Sequence, residues 1–293
     1  MTMQRTKRSG KFKDFARSLC FLSPSFLGVF LFFILPFAVV VKYAFTNAAG
    51  EPVQFQNIVN LLKNPIFKMA AKNTLTFSAV AVPLSVVLAI VLALMLECRI
   101  PMKSAFRSFF LSPMMVPVAS IVLIWQVLFS YNGTANVLLQ ALGELPIDWL
   151  NTEYAPWVVV LLFLWKNLGY NMILFMAGLA NIPRELLEVA DVEGASAAYK
   201  FFAIKLRYLS PTVLFVTILS LINSFKVFRE VYLLAGNYPY ESLYTLQHFM
   251  NNMFNALDYQ KLSAAALIMA VFMVGLIALL FAVEDWFGKD VEG

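Results

Sequence analysis

Asn181–Pro211 reads NIPRELLEVADVEGASAAYKFFAIKLRYLSP and is the polar exception in an apolar chain. From Arg184 to Glu193 five of ten residues are charged, and long apolar runs lie on both sides. Ionised side chains cannot sit unpaired in hydrocarbon, so the stretch must project from a membrane. Its internal pattern predicts a helix, a turn and a second helix. Pro183 suits a helix start, because its missing N–H would be unpaired there anyway. Arg184 to Val192 holds no breaker. Gly194 suits the end of the first helix, since glycine accepts the left-handed conformation at little cost. Ser196 is placed to cap the second helix, where Tyr199, Phe202 and Leu206 recur at helical spacing.

The rest of the chain has the composition of an integral membrane protein. Its 293 residues are 61% hydrophobic, with 13% charged and a mean hydropathy of +0.76. A soluble domain averages about 25% charged. The net charge of +5 is no nucleic-acid signal, because the basic residues cluster at span edges rather than on one soluble face. One His and two Cys leave no metal-ligand cluster. Cys20 and Cys98 both fall at span ends assigned to the reducing side and are expected to be free thiols. There is no P-loop and no Ser-His-Asp or Cys-His constellation. His248 stands alone in a segment assigned outside and reads as a solvated or interfacial histidine.

Six apolar runs are long enough to cross about 30 Å of hydrocarbon. They lie at about 19–45, 74–96, 108–129, 155–180, 212–234 and 262–283. Residues 1–18 are basic and polar, and the first run is too long and too rich in Phe for a cleaved signal peptide. The organisation read from this pattern is a cytoplasmic N-terminus (1–18), a first span with an external segment (19–71), a five-helix core (72–283) with the loop 182–211, and a tail (284–293). Fourteen of the 22 Lys and Arg fall in the N-terminus, two loops and tail of one side, and only Lys63, Lys68, Lys72 and Lys261 in the external segments. The positive-inside rule then puts both termini and the 182–211 loop in the cytoplasm.

The loop residues Glu188-Val189-Ala190-Asp191-Val192-Glu193-Gly194-Ala195, followed by Phe201, Ile204, Leu206 and Pro211, resemble the EAA loop. That loop marks the membrane permease subunits of binding-protein-dependent ABC importers. Three positions depart from the pattern: Val189 replaces Ala, Glu193 replaces Asp, and Arg207 replaces a Pro. The third departure bears on how the second loop helix meets the next span. Further elements resemble the carbohydrate-uptake branch (maltose, glycerol-3-phosphate and multiple-sugar permeases). These are Pro36 within the first span, Trp149-Leu150, Trp165-Lys166-Asn167-Leu168-Gly169, Ala177 to Pro183, and a partial outer turn at Gly236-Asn237-Tyr238-Pro239.

The resemblance implies the type I permease fold, an all-α membrane protein of six transmembrane helices with a cytoplasmic helix-turn-helix coupling loop. It implies a bacterial cell-membrane location. The implied partners are a second, usually different, permease subunit, a pair of ATP-binding subunits that hold ATP and Mg, and an extracytoplasmic solute-binding protein. Lipid surrounds the chain, and no nucleic acid is involved. Glu185, Glu188, Asp191 and Glu193 fall on the ATPase-coupling stretch, with Glu188 the main polar contact, Gly194 making the turn, and Ala190 and Ala195 allowing close packing.

Charged side chains within spans cost about 2.5–3.5 kcal/mol each on insertion scales, and so usually face a cavity or a partner. Lys166 lies mid-span in the fourth run; Lys226, Arg229 and Glu230 lie in the fifth. Two readings stand side by side. In one, Lys226 and Glu230 pair at i,i+4 along one helix face and Arg229 snorkels outward. In the other, carried over from the resemblance, Trp165, Lys166, Gly169, Met172, Asn223, Lys226, Val227 and Glu230 line a substrate path. Indole packs on a sugar face, Asn serves hydroxyls as donor and acceptor, and Gly169 leaves room for a ring. Lys166 and Arg229, uncompensated on such a path, would favour an acidic or phosphorylated sugar. The alternative function is a stand-alone secondary transporter that relays ions through the intramembrane Lys and Glu.

Overall fold

The computed structural model describes residues 18–97 and 101–288. The basic N-terminus, Cys98, Arg99 and the end of the tail lie outside the described residues. Among those described, helices long and apolar enough to span a membrane number six, the number the hydropathy pattern predicts, although the third lies at Val118–Ala141, displaced along the chain from the predicted 108–129. By its internal contacts the chain forms two compact units, Met1–Leu62 with Met253–Ala270, and Lys63–Asn252 with Val271–Gly293.

The first unit opens with α1, Ser18–Ala44. It carries a π-helical turn at Phe30–Ile34, which ends two residues before Pro36. Proline removes a backbone donor from the helical ladder, and local rewinding accommodates the loss. Every residue from Phe30 to Ile34 is exposed, as suits a helix bathed in lipid. Cys20 is an exposed free thiol. A short bridge pairs Thr46 with Pro52. Asn57, in the helix α2 (Gln56–Lys63), holds the carbonyls of Ala44 and Thr46 at 3.1 and 2.9 Å. The Tyr43 and Tyr259 rings stack at 6.0 Å.

The second unit is built on α3, Pro65–Glu97. It packs along α7 (Ala155–Ala180) and α10 (Ser210–Phe225). In apolar surroundings helices gain nothing by hiding apolar surface from one another, so small residues and buried hydrogen bonds do the joining. Ala81, Ala89 and Ala93 of α3 are fully buried. Asn171 of α7 donates to Ser85 of α3 and Ser220 of α10, both at 2.9 Å, and Ser78 bonds Ser224 at 2.8 Å. A layer of Ile90, Met172, Phe175, Leu179, Leu209 and Val216 closes the core toward the 182–211 loop. A second, of Ile121, Trp125, Val159, Leu162 and Val231, closes the other end.

Two spans differ from a straight reading. The third run is broken into α4 (Lys103–Met115) and α5 (Val118–Phe129). Val116 is extended (φ −83°, ψ 134°) because it precedes Pro117. A short helix α6 (Thr134–Ala141) follows. The fifth run is broken at Lys226–Val227, where α10 ends and α11 (Phe228–Ala235) begins. The helix α12 (Leu246–Asn255) precedes the last span, α13 (Tyr259–Gly288).

Candidate functional site

The loop folds as its sequence predicts. Its first helix, α8, is Arg184–Val192, entered from extended Pro183. Gly194 adopts φ +76°. Its N–H donates to Asp191 O at 3.1 Å, and the Ala195 N–H donates to Ala190 O at 2.9 Å. These are the two bonds of a Schellman cap, which satisfies the last carbonyls of the helix. Ser196 then caps the second loop helix, α9 (197–208), by accepting from the Tyr199 N–H at 3.2 Å. That helix contains a π-helical turn at Lys200–Lys205 and runs on to Tyr208, one residue short of the break at Leu209. Arg207, which replaces the proline of the family pattern, therefore sits inside a continuous helix.

Two ion pairs fix the loop. Asp191 of α8 pairs with Lys200 of α9. Lys205 of α9 pairs with Glu97, the last residue of α3, at 2.5 Å. Apolar anchoring comes from Ala190, which is buried, and from Leu187, Phe201, Ile204 and Tyr208, which pack against the inner core layer. The opposite face of α8 has no cover. Glu185, Glu188 and Glu193 are exposed, as are Val189 (56%) and Val192 (89%). Ala195 is half-buried. The outward face of this short helix thus carries acids and two valines, while its inner face packs on the core.

The second feature is a polar cleft of about 280 Å³ between α7 and the α10–α11 break. Lys166, Asn167, Asn223, Lys226, Val227, Arg229 and Glu230 line it, with Met114 of α4 and Leu162 and Phe163 of α7. The expected i,i+4 pair of Lys226 with Glu230 does not form. The helix turns at Lys226–Val227, which takes the two side chains off a common face, and Glu230 pairs with Lys166 of α7 instead. Glu230 is buried, and its second carboxylate oxygen has no hydrogen-bond partner. Lys166 is accordingly compensated, not a free cation. Lys226 and Arg229 have no side-chain partner among the described residues, so the unpaired charges are Lys226 and Arg229, not Lys166 and Arg229.

The remaining positions assigned to the path divide. Asn223 donates to Asn167 Oδ1 at 3.1 Å, and Val227 lines the cleft. Asn167 was visible in the Trp-Lys-Asn-Leu-Gly element but not singled out there. Trp165 lies against Trp125 at 5.1 Å between ring centres and keeps 37% exposure. Met172 is fully buried in the inner core layer and Gly169 lies against α4, so neither lines this cleft. A Cβ on Gly169 would stand 1.9 Å from the Phe110 carbonyl oxygen. Its missing side chain is therefore demanded by helix contact, whatever else it does.

His248 is not the solvated side chain its setting suggests. It is fully buried on α12. Its Nδ1 accepts from the Thr245 N–H at 3.3 Å and bonds the Thr245 hydroxyl at 2.8 Å, while its ring meets Phe228 edge-on at 4.6 Å. Burial lowers its pKa to about 4, because the charged imidazolium is poorly solvated there.

The second unit thus combines apolar spans, a capped helix-turn-helix at one end and a charged cleft beside α7. The family model for the binding-protein-dependent transport system inner membrane component matches residues 85–293, and the chain belongs to that family. It is 30% identical over 276 residues to the arabinooligosaccharides transport system permease protein of Bacillus subtilis, covering 88% of this chain and 86% of the relative. It is 28% identical over 270 residues to the lactose transport system permease protein of Rhizobium radiobacter, covering 89% and 91%. Among solved structures, a chain of the bacterial alginate ABC transporter in complex with alginate pentasaccharide-bound periplasmic protein superposes with a TM-score of 0.83. It shares 21% identity, over 95% of this chain and 98% of that one.

Proposed function

We propose that this chain is one of two membrane subunits of an ATP-driven importer for a sugar or oligosaccharide. The observation that carries the reading is the loop: a capped, ion-paired helix-turn-helix with its outer face bare. In this reading the loop and both termini are cytoplasmic. Glu188 is the main polar contact in a cleft of the ATP-binding subunits, with Glu185 and Glu193 beside it. ATP and Mg are held by those subunits, and this chain catalyses nothing itself. A separate binding protein delivers solute from outside. Movement of α8 is transmitted as a rigid body through the Leu187 and Ala190 anchors to the spans, which rock between outward- and inward-open states.

The relatives' names, arabinooligosaccharides and lactose among them, support a carbohydrate cargo. The cleft is the proposed solute contact on this chain. Its hydrogen-bonding side chains, Asn167 and Asn223, suit hydroxyls. Its unpaired cations, Lys226 and Arg229, favour a sugar carrying an acidic or phosphate group. A stand-alone transporter relaying protons through Lys166 and Glu230 would need no docking helix.

The test is energy coupling in cells that express the whole importer. Gly194→Asp places a side chain at φ +76° and is expected to abolish ATP-dependent uptake while the chain still inserts. Uptake that survives this variant, and stops only on collapse of the proton gradient, contradicts the importer reading.

A further inference from the structure

The loop end of the second unit holds another cavity, of about 400 Å³, bounded by the ends of α3, α4 and α7 and the start of α8. Its chemistry is distinct from that of the cleft. Lys103 and Arg107 enter from α4 and Arg184 from the first residue of α8. None of the three has a carboxylate partner among the described residues. The acid in the lining, Glu97, is already engaged with Lys205 at 2.5 Å. The Arg107 Nε is buried without a hydrogen bond. Leu179 and Ile182, both buried, provide an apolar floor.

Basic residues at this edge are expected from topology alone. Topology does not explain why three of them, from two separate elements, line one half-open cavity with its acid committed elsewhere. Gathered like charges repel, and an anion among them relieves the repulsion. The geometry points to a phosphate group as that anion: we propose that this cavity is a phosphate-binding seat, with Arg107 and Arg184 as the forked ligands and Lys103 as a point charge. Guanidinium forks match phosphate oxygens in pairs. Basic cavities between membrane helices, at headgroup depth, hold anionic lipid headgroups, and the apolar floor suits the glycerol end of such a lipid. The seat bridges α4 and α8, so an occupant would brace the docking helix against the bundle. This assignment does not depend on which solute the chain carries.

The experiment uses the full-length chain purified in detergent and native mass spectrometry. Phosphatidylglycerol, phosphatidylcholine and inorganic phosphate are added separately and in competition. One retained phosphatidylglycerol, held in clear preference to phosphatidylcholine, is the expected result. Retention should fall by about tenfold in Lys103→Gln/Arg107→Gln. Arg184→Gln, which alters an exposed side chain and so leaves the fold intact, should lower it in the same direction. Lys68→Gln/Lys72→Gln, in the first turns of α3 at the opposite end of that helix, should leave it unchanged. Displacement of the lipid by inorganic phosphate assigns the seat to a free phosphate, and resistance to displacement assigns it to a headgroup. If wild type and both loop-end variants retain lipid and phosphate equally, the proposal is overturned.

Discussion

Removing Glu230 should expose how much of the second unit's stability rests on one ion pair. The Glu230 side chain is 8% exposed and that of Lys166 25%. Breaking a buried pair by deleting one partner costs about 3–5 kcal/mol, because the other charge is left without compensation. Lys166 retains some access to water through the cleft, so the lower end, about 3 kcal/mol, applies to Glu230→Leu. The same substitution removes the acid from a lining that holds Lys166, Lys226 and Arg229, adding like-charge repulsion. For a chain of this size each kcal/mol shifts the melting temperature by roughly 2–4 °C, so a fall of about 6–12 °C is expected. The assay is fluorescence-monitored thermal unfolding of the purified chain in detergent. Lys166→Met/Glu230→Leu replaces both charges by apolar groups of similar volume and should lie within about 2 kcal/mol of wild type. A double variant that loses as much as the two single variants summed would show that the pair carries no coupling energy, and the reasoning would fail.

Other outcomes follow from the same structure. Gly169→Ala should lower the melting temperature by several degrees, since its Cβ would overlap the Phe110 backbone and overpacking costs about 1–3 kcal/mol or more. Gly275→Ala, with nothing within 4 Å of the new Cβ, should not, and equal effects would sink the helix-contact account. His248 is held neutral by burial, with its pKa lowered from 6.5 to about 4. Between those two values the unfolded chain takes up a proton that the folded chain does not. Stability should therefore fall as pH drops from about 6.5 toward 4, and be insensitive to this group above that range. A thermal-unfolding pH series on wild type and His248→Gln checks this: identical slopes in the two proteins would contradict it.

The parts of the structure readable in the sequence are those set by local chemistry. The six spans follow from run length, and the loop's helix ends follow from Pro183, Gly194 and Ser196, whose preferences act within a few residues. The Lys166–Glu230 pair was not readable, because its partners are 64 residues apart. It depends on a helix break at Lys226–Val227 that no proline or glycine announces. The i,i+4 rule named the wrong partner for Glu230 because it assumes one continuous helix. The break before Pro117 had a visible cause, yet an apolar run reads as one span when only its length and hydropathy are weighed. Burial of His248 and the close approach at Gly169 are tertiary facts, fixed by Phe228 and Phe110 on other helices. Nothing adjacent in the chain encodes them.

Docking of α8 into an ATP-binding subunit is tested most directly by cross-linking. A single cysteine replaces the exposed Glu188 in a chain whose Cys20 and Cys98 are changed to Ser. Cross-linking is performed in native membranes containing the whole importer. An adduct that contains an ATP-binding subunit, with a yield that changes when nucleotide is added, is the predicted result. A cysteine that reacts with a small cytoplasmic-side thiol reagent yet captures no such subunit would contradict the coupling role of the loop.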